Sequence, residues 1–162
     1  MFSPPLLSLA KMVLDTAREK KLRIATAESC TGGLIAGLLT EIPGSSDVLE
    51  RGFVTYSNEA KEELLGVPRV LIADQGAVSE AVARAMAEGA VANSSAQLAV
   101  AVTGIAGPGG GTKLKPVGLV HMAVCRKGGS TVHEERRFGD IGRTLVRLKT
   151  VEAALELLLR LF

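Results

Sequence analysis

The stretch Ala27-Glu28-Ser29-Cys30-Thr31-Gly32-Gly33 follows a short apolar segment, Leu22–Ala25, and opens a second one, Leu34–Leu39. A strand that ends in small hydroxylated residues and a glycine pair, then enters a helix, is the repeating unit of an α/β fold. It places Ser29 beside a helix N-terminus, where unpaired backbone N–H groups and the positive end of the helix dipole gather. Glycine lets a ligand approach that backbone closely. The segment can hold a phosphate, or a nucleophile beside an oxyanion hole. By itself, a capped helix after a tight turn, with Thr31 as N-cap, is the commoner meaning of so short a motif.

The elements on either side extend the pattern. Residues 4–20 read as an amphipathic helix starting at Ser3-Pro4-Pro5, with Leu6, Leu9, Ala10, Val13 and Ala17 at helical spacing. The helix over 32–42 stops at Pro43-Gly44. Gly52–Tyr56 is a strand of β-formers, followed by a helix capped by Ser57 or Asn58 that ends at Leu65-Gly66. Ser79 caps an alanine-rich helix reaching about Ala92. Leu98–Thr103 and Val117–Cys125 are apolar strands, separated by a glycine- and proline-rich loop over 106–116. Gly128-Gly129 turns the chain into Thr131–Phe138, whose mixed polarity predicts an edge strand. The last helix, about 141–161, is expected to turn Leu145, Leu148, Leu155 and Leu159 inward.

This order predicts an α/β fold: a three-layer α/β/α sandwich with a mixed, mostly parallel sheet, antiparallel near the C-terminal hairpin, in one domain over residues 1–162. In open sheets of this kind ligands sit beyond the carboxyl ends of the strands. Glu28-Ser29, Tyr56-Ser57 and Thr103-Gly104 are therefore expected to converge on one crevice.

Composition narrows the function. Aromatics make up 3% of the 162 residues and Trp is absent, so the core is aliphatic, and the Ala and Gly content implies close packing between elements. The net charge is +2, with no Lys/Arg run and few rings to stack on bases, which argues against nucleic acid as partner. No apolar stretch is long enough to span a bilayer, and the N-terminus lacks a signal-peptide pattern. Cys30 and Cys125 form no Cys-x-x-Cys, as expected of a reduced cytoplasmic protein. Cys30 reads as a small buried hydrophobe rather than a nucleophile.

Lys61 lies in the first turn of the helix after Tyr56. The helix dipole opposes a cation there, and burial lowers a lysine pKa further, as a general base requires. An ordinary surface lysine beside Glu62 and Glu63 is the plainer reading of the helix alone. With Ser29 it makes a possible Ser–Lys dyad. His121, mid-strand, fits a satisfied core histidine, and His133 is expected to face solvent, so neither suits a triad. No cluster has metal-ligand spacing. Gly107-Pro108-Gly109-Gly110-Gly111-Thr112 lacks the Lys-Ser/Thr ending of a phosphate-binding Walker loop. Arg143 and Arg147, one turn apart, suit either a phosphate or a solvated helix face.

Four segments together are more specific than any one. Ala27-Glu28-Ser29-Cys30-Thr31-Gly32-Gly33, Val54-Thr55-Tyr56-Ser57-Asn58-Glu59-Ala60-Lys61, Gly76-Ala77-Val78-Ser79-Glu80 and Val102-Thr103-Gly104-Ile105-Ala106-Gly107-Pro108, followed by Lys115-Pro116-Val117-Gly118, resemble the CinA C-terminal-domain family in order and spacing. The resemblance implies a stand-alone nicotinamide-nucleotide amidohydrolase that converts nicotinamide mononucleotide and water to nicotinate mononucleotide and ammonia. It implies Ser29 as nucleophile, Lys61 as general base and Tyr56 close to the dyad. Thr103 and Gly104 would line the site and the glycine loop, Gly109 and Gly110, would border it. Backbone around Thr31, Gly32 and Gly33 would hold the oxyanion, and Arg143 or Arg147 the phosphate. The family places an Arg directly after Gly-Asp in its last motif; here Ile141-Gly142 intervenes between Asp140 and Arg143. The expected partners are a small mononucleotide and further copies of the chain, with no cofactor and no metal. A non-catalytic mononucleotide-binding module and an amidase for another small amide are the alternatives.

Overall fold

The computed structural model describes residues 1–162. Helix α1 (Pro4–Glu19) leads into β1 (Ile24–Glu28), α2 (Leu34–Thr40), a short 3-10 turn at Ser45–Asp47 and β2 (Leu49–Val54). Then come α3 (Asn58–Leu65), α4 (Arg69–Gln75), α5 (Glu80–Ala92), β3 (Leu98–Gly104), β4 (Leu119–Arg126), β5 (Thr131–Arg137) and α6 (Arg143–Arg160). The strands form one sheet in the order β2-β1-β3-β4-β5. Strand β1 pairs in parallel with both β2 and β3, while β4 is antiparallel to β3 and to β5. Two of the four pairings are thus parallel and two antiparallel: a mixed sheet whose antiparallel part lies, as the sequence predicts, toward the C-terminal hairpin. Strands β4 and β5 are joined by the short turn over 127–130, which can link only antiparallel neighbours, whereas β3 returns to β4 through the glycine-rich loop over 105–118.

Side-chain alternation along the strands builds two cores. Leu98, Val100 and Val102 of β3 and Val120, Met122 and Val124 of β4 face α1, α2 and α6. Ala25 and Ala27 of β1, Ala99 and Ala101 of β3 and Ala123 of β4 face α3, α4 and α5. The second face carries methyl groups where the first carries longer side chains, Val, Leu and Met122. Small side chains let α5 lie close on the sheet.

Three departures from the sequence reading have local causes. Helix α4 was not anticipated; it is seven residues long and buries only Ile72, too little to leave a periodic signal. Strand β2 begins at Leu49, ahead of Gly52, because parallel pairing with β1 starts there. On α6, Leu145 is 52% exposed; the inward stripe is Val146, Thr150, Val151, Ala154, Leu155 and Leu158, with Leu148 and Leu159 half-buried. Val146, one residue on, is fully buried, so Leu145 lies to the side of that stripe, on the flank it shares with Leu148 and Lys149.

The close approach of α5 makes a sharp prediction. A Cβ on Gly89 would fall inside the contact radius of the Leu65 carbonyl oxygen, whereas one on Gly37 in α2 would meet nothing within 4 Å. Gly89→Ala should lose about 1–3 kcal/mol to overpacking, although Ala is the better helix former. Gly37→Ala should gain about 1 kcal/mol. Urea unfolding of the two variants beside the parent reads both signs.

Candidate active site

Strands β2, β1 and β3 are neighbours that point the same way, so their carboxyl ends open on one edge with β1 in the centre. Hydrogen bonds continue past β1: Thr55 N–H donates to Glu28 O at 2.9 Å and Ser29 N–H to Val102 O at 3.0 Å. Ser29 is thus fastened between Thr55 and Val102 at the middle of the edge. Helix α3 begins at once after β2, with Ser57 as its N-cap; the Ser57 Oγ accepts from Ala60 N–H at 3.0 Å. That start brings Lys61 back over the strand ends. Its Nζ lies 3.0 Å from Ser29 Oγ, 2.9 Å from Thr55 O and 3.5 Å from Ser57 O.

Lys61 is 1% exposed. Loss of solvation lowers its pKa from the ordinary 10.5, favouring the neutral amine. A neutral Nζ has two N–H bonds and one lone pair. The two carbonyl oxygens can accept the N–H bonds, which leaves the lone pair for the Ser29 hydroxyl proton. Cys30 is 6% exposed, and burial pushes its thiol up to about 12, so the sulfur beside Ser29 stays protonated.

A cavity of about 270 Å³ opens over the pair. Ser29, Cys30, Tyr56, Asn58 and Lys61 line one side; Ala77, Val78, Thr103 and Gly104 form another; Ile105 to Gly107, Gly109, Gly110 and Arg143 complete the rim. Thr103 Oγ1 donates to Ala77 O at 2.9 Å, bracing the segment before α5 against β3. Arg143 Nη1 donates to Gly107 O at 2.8 Å and Nη2 to Tyr56 OH at 3.1 Å, so one guanidinium spans the mouth.

The structure therefore gathers Ser29, Lys61, Tyr56, Thr103, Gly104, Gly109, Gly110 and Arg143. It does not bring Thr31, Gly32, Gly33 or Arg147 to the cavity wall. Thr31 is fully buried and is not the N-cap of α2; its Oγ1 donates to Glu28 Oε1 at 2.6 Å. Gly33 takes the cap position at φ +100°, and the Glu28 carboxylate accepts the helix's N–H groups, from Ile35 at 2.9 Å and Ala36 at 3.1 Å. Arg147 is spent on the turn: Nε donates to Cys30 O at 3.0 Å and Nη2 to Thr31 O at 3.1 Å. Lys115 Nζ is tied to Gln75 O at 2.6 Å.

The two histidines lie apart from this cavity. His121 is buried as expected, but His133 does not face solvent; its side chain is 11% exposed and its Nε2 is 2.8 Å from His121 Nδ1. Burial lowers both pKa values. No group of three or more His, Cys, Asp or Glu side chains has metal-holding geometry, and no helix is long and apolar enough to cross a membrane.

The sequence profile of the CinA C-terminal domain matches residues 6–162. The chain belongs to the CinA C-terminal domain family. Over 97% of both chains it is 50% identical to a Pseudomonas putida protein named nicotinamide-nucleotide amidohydrolase PncC. It is 50% identical to a putative competence-damage inducible protein of Caldicellulosiruptor bescii, matching 93% of this chain and 36% of that one. The chain thus spans about a third of the length of several curated relatives. Among solved structures, the competence/damage inducible protein CihA from Agrobacterium tumefaciens superposes with a TM-score of 0.97 at 54% identity, covering 99% of this chain and 98% of that one. A CinA superfamily protein from Escherichia coli gives 0.92 at 32% identity, covering 100% of this chain and 94% of that one.

Sequence reasoning missed Asn58, Ala77, Val78 and Glu28. The sequence offers Asn58 as an alternative cap; Ser57 caps the helix instead, and Asn58 lines the cavity. Ala77 and Val78 sat in a quoted motif but carry no chemistry of their own. Glu28 had a signal: an acid at the end of a buried strand must find donors, and the nearest were at the helix start.

The thiol gives the prediction here. Cys30 in the native protein should resist thiol reagents at neutral pH and react once denatured, and Cys30→Ala should leave the Ser29 hydroxyl reactive. Mass spectrometry after labelling reads both.

Proposed function

We propose that this chain is a nicotinamide-nucleotide amidohydrolase that hydrolyses the carboxamide of nicotinamide mononucleotide through a Ser29–Lys61 dyad. One observation carries it: a buried lysine whose Nζ stands 3.0 Å from a serine hydroxyl, with carbonyl oxygens ready to take its N–H bonds. The full-length match to the amidohydrolase named above supports the substrate. The free, buried Cys30 and Cys125 suit a reducing, cytoplasmic setting, and a homo-oligomer remains part of the proposal.

Neutral Lys61 takes the Ser29 proton as Oγ attacks the carboxamide carbon. The C=O bond opens to a tetrahedral oxyanion. Glu28 takes the Ile35 and Ala36 N–H groups at the start of α2, and Thr31 to Gly33 lie off the cavity wall, so the oxyanion falls to the N–H of Cys30, a residue of that wall whose N–H has no acceptor within the chain. Lys61 returns the proton to the nitrogen as the C–N bond breaks and ammonia leaves. Water then attacks the acyl-serine with Lys61 again as base, releasing the carboxylate and restoring the Ser29 hydroxyl. Arg143 at the mouth holds the phosphate, and Tyr56 and the glycine loop shape the space between.

Ser29→Ala and Lys61→Ala should each reduce kcat by about a hundredfold to ten-thousandfold. The double variant should be little worse than either, since the pair acts as a unit. Because the neutral lysine is the active form, kcat/KM of the parent should rise with pH to a plateau, with a midpoint below 10.5. Ammonia release from the mononucleotide measures each; near-normal turnover in Lys61→Ala would remove the dyad, and none in the parent would remove the substrate.

A charge-assisted contact to phosphate contributes about 1.5–3 kcal/mol, so Arg143→Ala should lower kcat/KM for the mononucleotide about tenfold to a hundredfold and spare the riboside. Equal losses on both would make Arg143 a support of the Gly107 loop.

A further inference from the structure

The turn that carries Ser29 is held by an ion of each sign, and neither ion touches the cavity. Glu28 is completely buried and gathers donors: Thr31 Oγ1, Ile35 N–H and Ala36 N–H, at 2.6, 2.9 and 3.1 Å. Arg147, reaching across from α6, gathers acceptors: the carbonyl oxygens of Cys30 and Thr31, at 3.0 and 3.1 Å. The Ser29 carbonyl, meanwhile, accepts from Gly32 N–H at 3.1 Å. Peptide units are planar, with C=O and N–H pointing oppositely. Tying the Ser29 and Cys30 carbonyls therefore fixes both peptide planes that flank Cys30, and with them the direction of the Cys30 N–H and the start of the Ser29 side chain.

We propose that Glu28 and Arg147 are positioning residues that clamp the Ser29–Gly33 turn from opposite sides and so set the aim of the nucleophile and of the Cys30 N–H. This rests on the Ser29–Lys61 reaction proposed above. It reassigns Arg147 from phosphate to backbone. Arg147 does not line the cavity, and its Nε and Nη2 serve carbonyl oxygens of the turn instead.

The experiment compares the parent with Glu28→Gln, Arg147→Lys and Arg147→Ala. Two readouts are followed: steady-state kinetics on mononucleotide and riboside, and the rate at which a fluorophosphonate labels Ser29. Labelling reports the placement of Oγ without any nicotinamide substrate. Glu28→Gln keeps the shape of the side chain but turns one acceptor oxygen into a donor facing a donor. It and Arg147→Ala should lose about tenfold to a hundredfold in labelling rate and in kcat, with KM nearly unchanged and equal losses on both substrates. Arg147→Lys, able to reach one carbonyl, should fall between, and millimolar guanidinium should restore part of the Arg147→Ala rate. Parent-like labelling and kcat in folded Glu28→Gln and Arg147→Ala would overturn the clamp. So would a loss in Arg147→Ala confined to KM for the mononucleotide, which would return that residue to the phosphate. Should Glu28→Gln fail to fold, the Arg147 pair decides alone. A parent that labels at Ser29 but releases no ammonia removes the proposed substrate and leaves the clamp standing; a parent that does not label at Ser29 removes both.

Discussion

Burying a lysine amine without a carboxylate partner is the constraint around which this edge of the sheet is built. An unpaired ammonium in an apolar interior is costly by several kcal/mol, enough to consume much of a domain's net stability. The chain meets Lys61 with oxygens that are dipoles rather than charges: one hydroxyl and two carbonyls. Dipoles satisfy the N–H bonds without holding the proton in place as a carboxylate would. The arrangement needs Thr55 and Ser57 to present their carbonyls from the β2–α3 connection. It also needs Ser29 to stand beside them, and parallel pairing of β1 with β2 does both at once. A lysine on a surface turn of α3 would have none of this.

The alanine face of the sheet serves the same edge. Because Ala25, Ala27, Ala99, Ala101 and Ala123 are short, α5 rests close on the strands, with Gly89 against the end of α3. The segment entering α5 is thereby drawn over the strand ends. Ser79 caps the helix and its Oγ donates to Gly76 O at 2.9 Å, while Thr103 holds Ala77. The cavity wall at Ala77 and Val78 follows from packing two layers away. On the opposite face, the longer side chains of β3 and β4 set α1, α2 and α6 farther off and give the larger core.

The elements that were legible in the sequence announce themselves by local chemistry. Ser57 and Ser79 cap helices, Gly66 and Pro43-Gly44 end them, and continuous apolar runs mark β3 and β4. The convergence of Ser29, Tyr56 and Thr103 was legible too, because a parallel arrangement requires it. What stayed hidden depends on distance through space. Thr31 has the chemistry of a cap, yet Glu28 reaches the same donors with two oxygens, a competition that residue preferences do not register. His133 lies on an edge strand but turns onto His121, since β4 and β5 pair with Ala123 opposite His133. Leu145 has the right spacing but lies to the side of the stripe begun by Val146, and only the rotation of α6 about its axis against the sheet decides that.

Arg143 and Arg147 show how one helix can divide its labour. They are four residues apart, so both project from the same side of α6 about one turn from each other. The first reaches the mouth, bridging Tyr56 and Gly107, and the second reaches the turn at Cys30 and Thr31. Gly142, at φ +96°, takes a backbone conformation that side-chain-bearing residues rarely adopt, and it begins α6 immediately before Arg143. The inserted Ile141-Gly142 therefore ends where the helix starts and leaves the spacing between the two arginines intact. A rigid helix with a cation at each of two successive turns holds the outer rim and the Ser29 turn at a set separation. In the proposed reaction, the distance from a phosphate at the mouth to Ser29 Oγ would then be a property of α6 itself, and binding energy at the far end of the substrate would place its carboxamide.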